Sequence, residues 1–314
     1  VVSYALLGQV LGLSVLCFAL FIENLTVGLV GFFLLAVQSA FFSPGKKGIL
    51  KELVGSDRLG MAVGWMEMLT MLGILGGAFA AASYFDFLVP DYGGWKAGLI
   101  LSLIAIGLAL FSWLLFIPTP QTEAPKAKSF QWGVLLSHWS DLSSLWKERG
   151  LRGAAIGDAW FWSVGSFFYL VLVKLSGEVV VGKFGMGGLY GYWFLLLGLG
   201  IMMGSLFVAY LNRGRVEMGL TPIGAILMPL ALMILYFVDP FENVFDCGCL
   251  LLGFSGALFA VPLNGYLQDQ AGESERGRVL AASNLLTQLS SIGLILVHAL
   301  VSYLGFSAKQ ELLI

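Results

Sequence analysis

Nine stretches of this chain are apolar over about the length that crosses a lipid bilayer, and that pattern decides the fold class before any single residue does. They are 1–22, 25–43, 61–85, 97–117, 153–173, 186–211, 219–238, 247–268 and 279–304. In hydrocarbon every backbone N–H and C=O must be satisfied inside the segment, so each run predicts a helix. The alternating pattern of a membrane β-barrel is absent. The predicted class is an all-α membrane protein. Composition agrees: the chain is 58% hydrophobic and 11% charged, where a soluble domain carries about 25% charge. The 41 glycines suit close helix packing, and Gly200-Ile-Met-Met-Gly204 and Gly77-Ala-Phe-Ala-Ala81 have the spacing for it.

Between the second and third runs lies a polar, basic stretch, 44–60, PGKKGILKELVGSDRLG, which predicts a charged hinge between two membrane helices. It has a counterpart later in the chain. A shift of 218 residues places Pro44 on Pro262, Ser56 on Ser274, Asp57 on Glu275 and Arg58 on Arg276. A repeat at that offset predicts two similar halves. Lys and Arg counts then orient the chain. With 44–60 on the inner side, alternate segments hold thirteen basic residues inside and four outside. The same offset starts the chain at the third helix of one half and stops it before the sixth helix of the other. The expectation is nine helices of twelve, a fragment without helices one, two and twelve.

The expected division is an N-terminal bundle at 1–117, a linker at 118–150 and a C-terminal bundle at 151–314. The linker opens IPTPQTEAPKAKS, with little to form a core. Trp132, Leu135, Leu136, Trp139, Leu142, Leu145 and Trp146 then recur at helical spacing, which predicts an amphipathic helix on the inner membrane face or a simple tether.

Ionisable groups inside the runs are few, and they carry the functional expectations. Placing Asp or Glu at a helix centre costs about 2.5–3.5 kcal/mol on insertion scales, so such acids face a cavity or a partner. Glu67 and Asp158 are therefore candidates for substrate contact, with pairing to inner-surface Lys or Arg as the alternative. Asn264, Gln268, Asn284 and Gln288 form a polar set, with Asn284 and Gln288 four apart on one face. They suit a headgroup pocket or interhelical hydrogen bonds. Lys47, Asp57, Arg58, Arg213, Glu275, Arg276 and Arg278 are candidates for a cytoplasmic gate, with a topological role as the alternative. His298 reads as a packing residue. Cys17, Cys247 and Cys249 read as small buried residues, since Cys247-Gly-Cys249 lacks zinc or redox spacing. No phosphate loop, zinc pair or nucleophile elbow occurs, so no catalytic residue, cofactor or metal is expected. A net charge of −2 gives no field for nucleic acid.

The stretch 41–67, FFSPGKKGILKELVGSDRLGMAVGWME, resembles the corresponding stretch of bacterial lysophospholipid transporters of the major facilitator superfamily. Their pattern runs Phe-x-Pro-Ala-Lys-Tyr-Gly-Ile-Leu-x-Glu-Leu, then Ala-Asn-Gly-x-x-Glu. Phe42, Pro44, Lys46, Gly48, Ile49, Leu50, Glu52, Leu53, Ala62, Gly64 and Glu67 match, while Gly45, Lys47 and Val63 depart. The likeness continues at 211–225, 261–268 and 276–284. It implies the two-bundle major facilitator fold. It also implies transport of lysophospholipid, such as lysophosphatidylethanolamine, across the bacterial inner membrane by alternating access. An acyltransferase, as partner or fused domain, is implied by some relatives. Export of drugs or metabolites, and a role as membrane anchor for a fused acyltransferase, are the competing readings.

Overall fold

The computed structural model describes residues 2–119, 142, 145–146, 148–179, 186–212, 216–272 and 275–313. Its helices, in chain order, are α1 (Val2–Phe21), α2 (Leu25–Phe116), α3 (Arg149–Val179), α4 (Met186–Leu211), α5 (Leu220–Phe237), α6 (Asn243–Gln270), α7 (Arg276–Tyr303) and the short α8 (Ala308–Glu311). Eight helical segments among the described residues are long and apolar enough to cross a membrane. Their outer faces carry Phe32, Phe33, Leu108, Phe237 and Leu296, all exposed, as a lipid-facing surface requires. Hydroxyls within the spans bond to carbonyls of the preceding turn: Ser14 to Val10, Thr70 to Met66, Ser112 to Leu108 and Ser166 to Trp162. Hydroxyls satisfied in this way need no water.

The stretch 44–60, expected as a charged hinge, is helical over most of its length. Helical structure runs through it, so run 25–43 and most of run 61–85 fall in one segment, Leu25–Ala81. Lys46, Lys47, Leu50, Lys51, Glu52 and Leu53 are good helix formers, which explains why charge alone does not interrupt the helix. Yet α2 is not one straight rod. Gly12 faces Leu35, Gly31 faces Leu16 and Gly98 faces Leu20. Trp113 Nε1 donates to Ser3 Oγ at 3.2 Å. A straight helix would separate residues 35 and 98 by about 95 Å, three times the length of α1. The chain must therefore turn back between them. Gly55 and Gly93, with φ of 71° and 76°, are the left-handed positions within α2, the conformation glycine adopts without steric cost.

The chain groups into two units. The first contains 1–52 and 76–127, the second 53–75 and 128–314. In the first, α1 lies against both ends of α2 through the contacts just given. The α1–α2 turn holds Glu23 at a φ of 54°, and Asn24 caps α2 by accepting from Val27 N at 3.1 Å. The second unit includes the α2 portion 53–75, which lies against α4. There Gly60 faces Asn212, Gly64 faces Ala209 and Gly198 faces Leu75. The expected N-terminal bundle thus shares part of its length with the second unit by contact, because small residues let α2 and α4 approach closely.

Two apolar cores fill the second unit. One joins Phe168, Val171, Leu172 and Leu175 of α3 to Trp193, Leu235, Phe245 and Leu312. The other joins Leu151 and Ala155 of α3 to Leu263 and Leu267 of α6 and Val279 and Leu280 of α7. Leu145 is buried in this second core with Leu142 against it. The end of the expected amphipathic stretch therefore belongs to the unit, while Trp132, Leu135, Leu136 and Trp139 lie outside the described residues. Between α4 and α6 the glycine reading holds in part. A Cβ at Gly204 would sit 2.5 Å from the Phe254 carbonyl oxygen, and one at Gly253 would overlap that of Leu197. Gly77, by contrast, faces open space.

Candidate functional site

Asp158 sits two turns into α3 beside Gly157, whose missing side chain leaves room for Leu263 of α6. That approach brings Asn264 onto the carboxylate. Asn264 Nδ2 donates to Asp158 Oδ1 at 2.8 Å and to the Ala260 carbonyl at 3.3 Å. Both side chains are buried, Asp158 at 4% and Asn264 at 1% exposure. Burying a carboxylate is costly unless it is hydrogen-bonded, so the pair is a constructed feature of α3 and α6 packing. One turn further along α6, Gln268 is fully buried, and its amide oxygen and nitrogen have no hydrogen-bond partner among the described residues. Aromatic rings border the pair. Trp160 meets Phe259 edge-on at 5.5 Å, and Phe161 lies 6.3 Å from Phe259 and 5.4 Å from Trp162. Ser163 and Ser291 extend the polar line toward α7, their hydroxyls 3.5 Å apart.

The remaining candidates are carried by other segments of the chain. Glu67 is buried in the α2 portion that packs with the second unit. On α7, Asn284 is half-buried and Gln288 exposed, and no hydrogen bond joins either to Asp158 or Asn264 among the described residues. Of the gate candidates, Asp57, Arg58, Glu275 and Arg278 are exposed and Lys47 half-buried. Arg276 is the exception: as the first residue of α7 it is 5% exposed. The two members of the repeat, Arg58 and Arg276, therefore occupy different environments. Arg213 lies outside the described residues. The three cysteines are free thiols, and Cys249 is buried as expected, whereas Cys247 is exposed and Cys17 half-buried.

Sequence reasoning missed a second polar cluster, at the opposite end of the second unit. Lys174, Glu311 and Ser302 meet there, with His298 beside them. The available signal was the Ser307-x-x-Gln310 capping box, which starts a helix too short to span and brings an acid behind it. Tyr192 was also passed over; its hydroxyl donates to Asp246 at 2.7 Å.

The family described as the Major Facilitator Superfamily matches residues 1–294. A lysophospholipid transporter LplT of Klebsiella pneumoniae is 28% identical over 277 residues, covering 88% of this chain and 67% of the relative. That of Cronobacter sakazakii is 30% identical over 259 residues, covering 82% and 62%. The chain thus spans about two-thirds of the length of these relatives. In fold it is similar to the crystal structure of the Escherichia coli fucose:proton symporter FucP, with a TM-score of 0.73 at 18% identity, covering 99% of this chain and 79% of that one.

Proposed function

This chain belongs to the Major Facilitator Superfamily, and we propose that within it the chain carries lysophospholipid across the bacterial inner membrane. It is a multi-pass membrane protein of transporter lineage. The observation that carries the reading is the Asp158–Asn264 pair, a buried carboxylate and amide set among aromatic rings, in a chain similar to proteins named as lysophospholipid transporters over 88% of its length. A carboxylate suits the ammonium of an ethanolamine headgroup, and an amide suits its phosphate and hydroxyls. The acyl chain needs no site of its own, because it can remain in lipid. Glu67, Asn284 and Gln288 complete the headgroup path in this proposal.

Movement follows from alternating access, the halves 1–117 and 151–314 rocking about the site with 118–150 as their tether. The close approach of α2 to α4 at Gly60 and Gly64 is then the seam along which they move. Lys47, Asp57, Arg58, Arg213, Glu275, Arg276 and Arg278 close the inner side. Ion pairs made by the exposed members Asp57, Arg58, Glu275 and Arg278 would contribute about 0–1 kcal/mol each, which suits a closure that must open. The chain performs no covalent chemistry in this scheme, and an acyltransferase partner or fused domain would consume what it delivers.

The test is reconstitution of the full-length protein in vesicles with fluorescent lysophosphatidylethanolamine in one leaflet. Faster movement than in protein-free vesicles is expected. Movement at the protein-free rate under every imposed ion gradient, together with uptake of a soluble solute, would reject the lipid assignment and leave the fold standing.

A further inference from the structure

Gln268 of α6 is fully buried, and Ser283 of α7 is 3% exposed. The amide oxygen and nitrogen of Gln268 and the hydroxyl of Ser283 have no hydrogen-bond partner among the described residues. Burying such groups unbonded costs stability, and apolar residues of similar size would carry no such cost. One turn away, Asn264 has both an Asp158 oxygen and the Ala260 carbonyl for its amide, so this helix face can satisfy such a group. A donor and an acceptor left unbonded beside that pair point to a partner that comes and goes.

Helix register puts both side chains at one depth. α3 and α7 run side by side with an offset of 128 residues, seen in Ser163 with Ser291 and in Lys174 with Ser302. Ser283 is therefore level with Ala155, about 5 Å nearer the start of α3 than Asp158. α6 runs the other way, with Gly256 against Phe161 and Leu263 against Gly157. Gln268, four residues past Asn264 on the same face, lies about 6 Å from it in that same direction. Their neighbours agree: Leu267 and Ala282 share one core with Ala154 and Ala155. Arg276, 5% exposed, precedes Ser283 by two turns on the same face of α7. Buried polar groups thus run from a carboxylate at Asp158, through an amide and a hydroxyl, to a guanidinium about 15 Å from the level of Asp158.

We propose that Gln268 and Ser283 form the phosphate half of a headgroup site whose ammonium half is Asp158, so that the chain selects a zwitterionic phosphate ester. This rests on the lysophospholipid reading and narrows it. A phosphate oxygen accepts from Gln268 Nε2 and from the Ser283 hydroxyl. The ammonium beside it donates to Gln268 Oε1 and to the Asp158 carboxylate. One amide thereby serves both charges of the headgroup. The order of charge along the helices orients it, with ammonium toward Asp158 and phosphate toward Arg276. A headgroup without phosphate leaves Gln268 and Ser283 unbonded, and one without an ammonium offers Asp158 no cation. Both side chains are closed off in this structure, so the headgroup enters in a state where α3 and α6 stand further apart.

Displacement of a fluorescent lysophosphatidylethanolamine from the full-length protein in detergent micelles tests this, read beside thermal unfolding. Gln268→Met keeps the volume and removes the amide, and Ser283→Ala removes the hydroxyl. Wild type should bind lysophosphatidylethanolamine about tenfold tighter than a monoacylglycerol, the factor that a hydrogen bond to a charged group supplies. Both variants should bind the two lipids alike, with thermal midpoints equal to or above that of wild type. A wild type without the difference, or either variant with it, overturns the proposal. So do lowered midpoints, which would mean that the two groups are already bonded, to buried water or otherwise. Where Gln268→Met does not fold, Ser283→Ala decides on the same two readings. If the protein binds no lysolipid, the lysophospholipid reading falls and inorganic phosphate decides for the site. A phosphate-induced rise in the midpoint of wild type and not of Ser283→Ala upholds it for a soluble phosphate ester; no rise, or an equal rise in both, overturns it as well.

Discussion

Removing Asp158 and Asn264 singly and together separates what their hydrogen bond does from what the carboxylate charge does. In soluble proteins a hydrogen bond to a charged group contributes about 1.5–3 kcal/mol. Within bilayers, interhelical hydrogen bonds average about 0.6 and reach about 1.7 kcal/mol, because separated helices in lipid find other partners. The bilayer scale governs here, since α3 and α6 remain in the membrane when they part. The 2.8 Å length, the ionisable acceptor and the burial of both side chains place this bond near the top of that scale. The expected coupling between Asp158→Ala and Asn264→Ala is about 1.5 kcal/mol. Equilibrium unfolding of the purified protein in mixed micelles measures it. A coupling below about 0.3 kcal/mol, within the scatter of independent sites, would refute the assignment of the bond as a helix tie. Asp158→Asn is the decisive companion. It keeps an acceptor oxygen for Asn264 while removing the charge, so stability should change by less than about 1 kcal/mol while lysophospholipid movement is lost. Wild-type transport by that variant would refute the headgroup role and leave a purely structural pair.

Two further outcomes follow from particular contacts. Gly204→Ala places a methyl 2.5 Å from the Phe254 carbonyl oxygen and 2.8 Å from Ala257 Cβ, so it should destabilise by about 1–3 kcal/mol, whereas Gly165→Ala, with nothing within 4 Å, should be neutral or stabilising. Equal effects in thermal unfolding would contradict the α4–α6 geometry. Charge reversal at Arg58 and at Arg276 should shift cysteine labelling between the two sides, and Arg276→Glu should also lower stability because it buries a carboxylate; normal labelling with normal insertion of both variants would reduce these residues to topology signals.

The helices were legible because hydrocarbon leaves the backbone no alternative, and the apolar runs alone specify them. Asp158 and Asn264 were each legible as polar residues in apolar runs. Their contact was not, since 106 residues separate them and nothing local encodes which faces meet. The hinge at 44–60 was legible as a charged stretch but not as helix. Its charge pattern and its helix propensity point to different structures, and hydrogen bonding along the chain prevails there. Arg58 and Arg276 show the limit of a repeat: equal sequence offset does not confer equal burial, because α7 begins at Arg276 whereas Arg58 continues α2. Glu311 escaped notice because its burial depends on Lys174 and His298, residues more than 100 positions and 13 positions away that carry no shared pattern.

The contact of α4 with α6 reverses the ordinary meaning of an alanine scan. Elsewhere in a protein the scan subtracts atoms, and a loss of stability marks a side chain that mattered. At Gly200, Gly204 and Gly253 the carbonyl oxygens of Leu250, Phe254 and Leu197 stand where a first side-chain carbon would be. There the same scan inserts matter into an occupied place. The residues that specify this crossing are thus invisible to deletion and detectable only by addition, and a map of sensitivity drawn from truncations would show the crossing as blank.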